Sequence, residues 1–304
     1  MQGNMMIVLI DFLNFTTPMF FAALAVAIAM NIGLFNIGVS GQMLAAGFTA
    51  TVMIGYSSLN GMIAKPLVLL IGICVGAGIG TFIGVLKYRF NVSEVVSSTM
   101  LNYILQHLIS FYITAYCLDP FTGQSKYVSE AARLIIPKDM NGMIILLPIG
   151  GILAVVIMIC VWFIMRRSKF GCEMKTVGHS WTEAKSRGIN VGHIVVCTMA
   201  ISGALGGLAG VTYYLGYQNS IQPNVLLRTG FDAIAVSILG NNSPLGIIIP
   251  TILISFCSYI TIHLGIRYEI SSILMMSILI SWVCREYVYK YLKRNSTTHI
   301  TEGE

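Results

Sequence analysis

From residue 12 to residue 282 the chain is a succession of apolar stretches long enough to cross a bilayer, with charge confined to short gaps between them. In hydrocarbon every backbone N–H and C=O must be satisfied within the protein, which leaves helical bundles or closed barrels. Barrel strands alternate polar and apolar residues over about ten positions. The runs 67–86 and 143–165 do not alternate, so helices are expected. Charged residues are only 10% of the 304, against about 25% in soluble domains. The predicted fold class is all-α: a polytopic helical membrane protein of about eight to ten transmembrane helices, some short and interrupted. No polar stretch is long enough for a soluble domain, so 1–304 reads as a single transmembrane domain.

The N-terminus has neither the basic flank nor the small-residue cleavage site of a signal peptide, so the first apolar segments are expected to remain. The net charge of +6 is spread over inter-span gaps and reads as topology, with no nucleic-acid partner expected. Cys74, Cys160, Cys197 and Cys257 lie inside apolar runs, and no C-x-x-C pair occurs, so structural thiols are expected. His107, His179, His193 and His263 lack metal spacing, and no nucleophile–base motif is present. No catalytic residue, metal or cofactor is therefore expected. Gly72/Gly76/Gly80/Gly84 and Gly203/Gly206/Gly207/Gly210 read as small-residue faces for close helix packing.

Candidate spans fall near 17–35, 41–58, 66–86, 101–118, 143–165, 193–215, 245–264 and 269–286, with a shorter mixed segment at 226–240. The densest basic gap holds Arg166, Arg167, Lys169, Lys175, Lys185 and Arg187, and the positive-inside rule places it in the cytoplasm. Lys87 and Arg89 then also fall inside, and 119–141 outside. The basic tail, about 286–304, is expected inside, which requires 226–240 to cross or nearly cross.

Two regions interrupt the apolar pattern with amides and glycines. One is Asn31-Ile-Gly-Leu-Phe-Asn36-Ile-Gly-Val-Ser-Gly-Gln42; the other runs from Gly230 through Asp232 to Asn241-Asn242-Ser-Pro-Leu-Gly246. Interrupted segments in both halves of a membrane protein point to a transport path; tight interfacial loops are the alternative. Asn36, Gln42, Asn102, Asp232, Asn241 and Asn242 are the candidate path residues. Glu94 and Asp232 read either as functional acids or as helix N-terminal charges. In the basic gap, about 166–192, Thr182 is a candidate cap for a short helix with Glu183 in its first turn, Arg187 in its last and Gly188 as its stop. Such a helix is marginal alone and makes sense docked on a partner.

Four motifs together give the chain a resemblance. They are Asn36-Ile-Gly-Val-Ser-Gly-Gln-Met43, Glu94-Val-Val-Ser-Ser-Thr-Met-Leu-Asn-Tyr103, Glu183-Ala-Lys-Ser-Arg-Gly-Ile-Asn-Val191 and the stretch Gly230 to Gly246. In this order they resemble the permease subunits of bacterial ABC importers for ribose, branched-chain amino acids and nucleosides, with the last motif closest to the nucleoside (simple sugar) branch. The resemblance implies a multi-pass permease of the bacterial plasma membrane, carrying a nucleoside or related sugar. It is not an enzyme, since ATP is hydrolysed by a separate ATP-binding subunit. The other implied partners are a second permease, as homo- or heterodimer, and an extracytoplasmic substrate-binding lipoprotein, besides membrane lipid. Glu183, Arg187, Gly188 and Asn190 match the cytoplasmic coupling loop. The chain departs from the pattern at Ser40, where members often carry Glu, and at Ser93, where they carry Asn. A branched-chain amino acid permease and an ion-coupled secondary transporter are the alternative readings; paired buried charges at mid-membrane would mark the latter.

Overall fold

The computed structural model describes the backbone of residues 2–140 and 143–265 with single positions between 270 and 284, and the side chains of 7–135 and 149–265. The expected tail, and most of the expected span 269–286, lie outside the described residues. Contacts divide the chain into residues 1–252 and 253–304.

Helix α1 (Gln2–Met30) is 29 residues long and accommodates Pro18. It begins earlier than the expected 17–35 and ends sooner. Gly33, at φ +74°, takes the left-handed conformation that closes a helix, and the Leu34 N–H returns to the Ala29 carbonyl at 3.2 Å. After this stop the chain does not restart as helix until α2 (Val39–Ala50), which a π-helical turn, Thr51–Gly55, extends. Then come α3 (Gly61–Phe90), capped by the Asn60 side chain, and α4 (Glu94–Tyr112), with a second π-helical turn at Ile113–Cys117. Lys87 and Glu94 close the α3–α4 corner with a 2.8 Å ion pair that is little exposed. Glu94 thus satisfies the helix-terminal reading, in the first turn of α4.

Residues 143–148, expected as the start of a span, are instead strand. β1 (Ile135–Met140) and β2 (Met143–Pro148) form an antiparallel hairpin. An apolar run at a span's edge carries no signal separating strand from helix; the helix proper, α5 (Ile149–Arg167), begins at its glycines. Next are α6 (Lys169–His179), α7 (Trp181–Ser186), α8 (Val191–Thr212) with its π-helical extension Tyr213–Gln218, α9 (Thr229–Leu239) and α10 (Ile248–His263).

Among the described residues four helices are long and apolar enough to cross a membrane: Ile7–Met30, Gly61–Phe90, Ile149–Arg167 and Val191–Gln218. Their outer faces stay apolar, with Leu70 and Phe82 on α3 and Ile152, Val155, Ile159 and Phe163 on α5 exposed. In a bilayer those residues meet acyl chains. The fold is that of a polytopic helical membrane protein.

Helix α8 is the centre of the first unit, and its glycines show why. Gly203 and Gly207 lie directly on Gly76 and Gly72 of α3, so close that a methyl on Gly76, Gly203 or Gly207 would overlap a facing carbonyl, while one on Gly72 would press on the Val211 side chain. Gly206 and Gly210 turn to α2, meeting Gln42 and Met43. The glycines expected on one face of α8 therefore serve two neighbours. With no Cβ between them the backbones gain dispersion contacts that larger residues would prevent.

Candidate functional site

The break between α1 and α2 is built around three amides. Asn36 and Gln42 pair reciprocally: Asn36 Nδ2 donates to Gln42 Oε1 at 3.1 Å and Gln42 Nε2 donates to Asn36 Oδ1 at 3.3 Å. Asn36 Nδ2 also donates to Ser202 Oγ of α8 at 2.8 Å, and that hydroxyl donates to the Ala25 carbonyl of α1 at 2.7 Å. Asn102 on α4 accepts from the Gly41 N–H at 2.9 Å and donates to the Ile37 carbonyl at 2.9 Å. Asn36, Gln42 and Asn102 are 1%, 0% and 1% exposed. An unmade bond here would cost the full desolvation of the group, and the network leaves none of these three amides without a partner. Three of the six candidate path residues thus join α1, α2, α4 and α8 at the break.

The second broken segment meets the first. The Ser40 hydroxyl, at the start of α2, donates to the Leu227 carbonyl at 2.7 Å, and Gly230 sits so close to Ser40 that a methyl would strike it. The N-termini of α2 and α9 are therefore adjacent. Asp232 lies in the first turn of α9, partly exposed. At the other end of α9, Asn241 and Asn242 both adopt φ +52°, a left-handed conformation that Asn tolerates better than most residues. The Asn242 carboxamide oxygen accepts from Ser237 at 3.0 Å, while its carbonyl accepts from Asn31 Nδ2 at 2.7 Å. Asn242 is thus a turn residue tied to the end of α1, and Asn241 is exposed.

The basic loop folds as two helices rather than one. Ser168 caps α6 and Ser180 caps α7; Ser180, not Thr182, accepts from the Glu183 N–H, at 3.3 Å. The cap residue must precede the helix with an extended backbone, and Ser180 does so at φ −160° whereas Thr182 is already inside the helix. Glu183 pairs with Arg187 one turn on. Gly188, at φ +76°, closes α7: its N–H bonds the Lys185 carbonyl and the Ile189 N–H bonds the Ala184 carbonyl, both at 3.0 Å. The Asn190 side chain then caps α8 by accepting from the His193 N–H at 3.2 Å. Helix α6 buries Gly171, Met174 and Val177, and α7 buries Ala184, leaving Lys185 to Gly188 exposed. Gly178 of α6 lies against the Asn31 backbone. Asn31 is consequently touched both by the basic loop and by the turn after α9.

Sequence reasoning missed Ser202, Ser237 and Ser180, and it placed Asn31 in the first interrupted region without taking it as a candidate. Ser202 and Ser237 look like ordinary small residues in apolar helices, and only the fold reveals their partners. Ser180 was legible in principle, since Ser180-Trp-Thr-Glu183 has capping-box spacing.

The sequence matches the model of the family described as the branched-chain amino acid transport system permease component over residues 8–283. It is 34% identical, over 78% of its length and 68% of the relative's, to the nucleoside ABC transporter permease protein NupB of Lactococcus lactis. Against the guanosine ABC transporter permease protein NupP of Bacillus subtilis it is 33% identical over 91% of its own length and 80% of the relative's. No solved structure matches. A family match over nearly the whole chain, on a bundle with two helices broken at one point, makes this multi-pass membrane protein a member of the branched-chain amino acid transport system permease family.

Proposed function

We propose that the chain is one of two membrane subunits of an ATP-driven importer and that its solute is a nucleoside. The observation that carries the substrate class is the identity of about a third, over most of the chain, to permeases named for nucleosides and guanosine. ATP hydrolysis belongs to a separate ATP-binding subunit, and a substrate-binding protein delivers the solute from outside. The exposed run Lys185–Gly188, with Glu183 and Asn190 fixing its ends, is the surface offered to the ATP-binding subunit. Nucleotide state then biases the permease between two conformations through differential affinity for that surface. Asn31, against Gly178 on one side and bonded to Asn242 on the other, joins that surface to the broken helices. Of the path residues, Asn36, Gln42 and Asn102 act by holding the break open in one geometry, while Asp232 lies in the first turn of α9 and Asn241 and Asn242 follow its end.

The test is uptake of labelled guanosine, leucine and ribose in cells carrying this chain with its neighbouring importer subunits. Guanosine uptake that stops when the ATP-binding subunit's Walker lysine is replaced is the expected result. Leucine uptake without guanosine uptake, or transport driven by an ion gradient with no ATP-binding subunit, overturns the reading.

A further inference from the structure

The stripe Thr99, Tyr103, Gln106, His107, Ser110 follows the spacing i, i+4, i+7, i+8, i+11, so it runs along one side of α4. Beside the stripe, Met100, Ile104, Leu108 and Phe111 continue the exposed surface around the helix with apolar side chains. A helix bathed in lipid has no use for the stripe. Helix α4 with its π-helical turn covers 94–117 and so takes in the expected span 101–118, although it is not among the four helices apolar enough to cross by themselves; on that placement Tyr103 and His107 lie roughly 14 and 20 Å along from Glu94, inside hydrocarbon about 30 Å thick. Tyr103 is 54% exposed, and His107 is exposed as well. An exposed imidazole at that depth is costly in lipid and marks a water-filled cavity or a partner.

The structure places a second polar element beside the stripe. Between the π-helical turn after α8 and the start of α9, residues 219–228 run without helix, with Asn219 and Asn224 at φ +63° and +60°. Two stripe residues hold this segment: Ser110 Oγ accepts from the Asn224 N–H at 2.8 Å, and Gln106 Nε2 donates to the Asn224 carbonyl at 2.8 Å. Gln222, Asn224 and Arg228 remain exposed. Irregular backbone at membrane depth is tolerated only where protein or water surrounds it. Asn102, in the buried network, lies on the adjoining side of α4 and fixes the stripe's rotation against α2.

We propose that Tyr103 and His107 of α4, with Asn224 beside them, form the wall that this chain gives to the solute passage. A nucleoside passes with its base against the Tyr103 ring and its polar edge within reach of His107. Every base has a π-face, so an aromatic wall attracts without demanding one base. Gln106 and Ser110 are positioning residues, since they act through the Asn224 backbone. This reading rests on the proposed import of nucleosides.

The experiment uses the whole importer in inside-closed membrane vesicles, with single cysteines placed in a chain whose seven native cysteines are replaced. A charged, water-soluble thiol reagent is expected to label Y103C and H107C, to leave I104C and L108C unlabelled, and to label the first pair more slowly with saturating guanosine. Equal labelling of all four positions overturns the proposal, as does absence of guanosine protection in vesicles whose parent importer transports guanosine. The stripe labelled in contrast to Ile104 and Leu108, in an importer that does not transport guanosine, supports the passage and refutes only the substrate. A second arm keeps the native cysteines. His107→Leu is expected to slow guanosine uptake about fivefold, the loss of one hydrogen bond to the solute, at unchanged membrane content, while His107→Asn restores it. Equal uptake by the Leu variant and the parent counts against His107.

Discussion

Asn36 stands at the point where the chain spends most polar surface inside an apolar bundle. Replacing it with Ala strands the Gln42 amide, the Gly38 N–H and one partner of Ser202 together. Each buried group left unpaired costs about 1–3 kcal/mol, so Asn36→Ala is expected to lower folded yield and the thermal midpoint in detergent markedly. If its buried bonds hold the break, uptake per folded molecule should change less than yield does. A variant with normal yield and absent uptake would instead place Asn36 in the passage. The polar residues themselves were legible in the sequence, since amides between apolar runs are conspicuous. Their burial was not, because the Asn36 amide is completed by Ser202, 166 residues away along the chain, which is itself bonded to the Ala25 carbonyl of α1. The α8 glycines divide in the same way. Their role in close packing could be read from spacing, but the split of Gly203 and Gly207 to α3 and Gly206 and Gly210 to α2 depends on which helices surround α8. Gly207→Val is expected to cost several kcal/mol, since its methyls would displace the Gly72 carbonyl and overpack the contact; loss of the folded monodisperse species in size-exclusion chromatography is the readout.

Helix α7 in the basic loop shows how a short helix becomes dependable. Six residues of α7 cannot persist alone, yet Ser180, the Glu183–Arg187 pair and the Gly188 closure satisfy both ends, and α6 anchors it. Position, charge pattern and the stopping glycine were readable in sequence because caps are local chemistry; the division into two helices was not, since it hinges on the extended backbone at Ser180. Gly188 has open space around its Cα, so a side chain there meets solvent or a docked partner. Gly188→Asp combined with Arg187→Glu is expected to leave membrane insertion intact and to separate ATP hydrolysis from uptake. The measurement is the ratio of phosphate released to guanosine imported, and a ratio equal to the parent's would remove 183–190 from the partner contact. Gly188→Ala alone costs about 1 kcal/mol through its positive φ, so it separates backbone strain from surface change.

At the scale of the whole molecule the question is how an element of 11 residues can complete a crossing. Helix α9 spans only about 16 Å, roughly half the hydrocarbon thickness. The preceding segment supplies the rest. Its first residues are bonded to the 118–134 loop, Val128 N–H to the Asn219 carbonyl at 3.1 Å and Ser125 N–H to the Ile221 carbonyl at 2.9 Å. In its middle Asn224 is held on α4 by Ser110 and Gln106, and near its end the Leu227 carbonyl accepts from Ser40. From there α9 continues to Asn242, which is bonded to Asn31 beside Gly178 of the basic loop. Extended chain and half-helix in series therefore connect the end that holds the 118–134 loop to the end that holds the basic residues. The charge pattern calls for a crossing here, and hydropathy carries no signal of one, because residues 219–228 lie outside any apolar run. With the basic end in the cytoplasm, a membrane-impermeant thiol reagent applied outside intact cells is expected to reach cysteines at Thr122 and Tyr127. It should fail at Ser168, Lys185 and Asn241 until the membrane is opened. Outside labelling at Asn241 together with protection at Lys185 would mean that α9 turns back, and the two ends of the 219–240 segment would then share one face of the membrane.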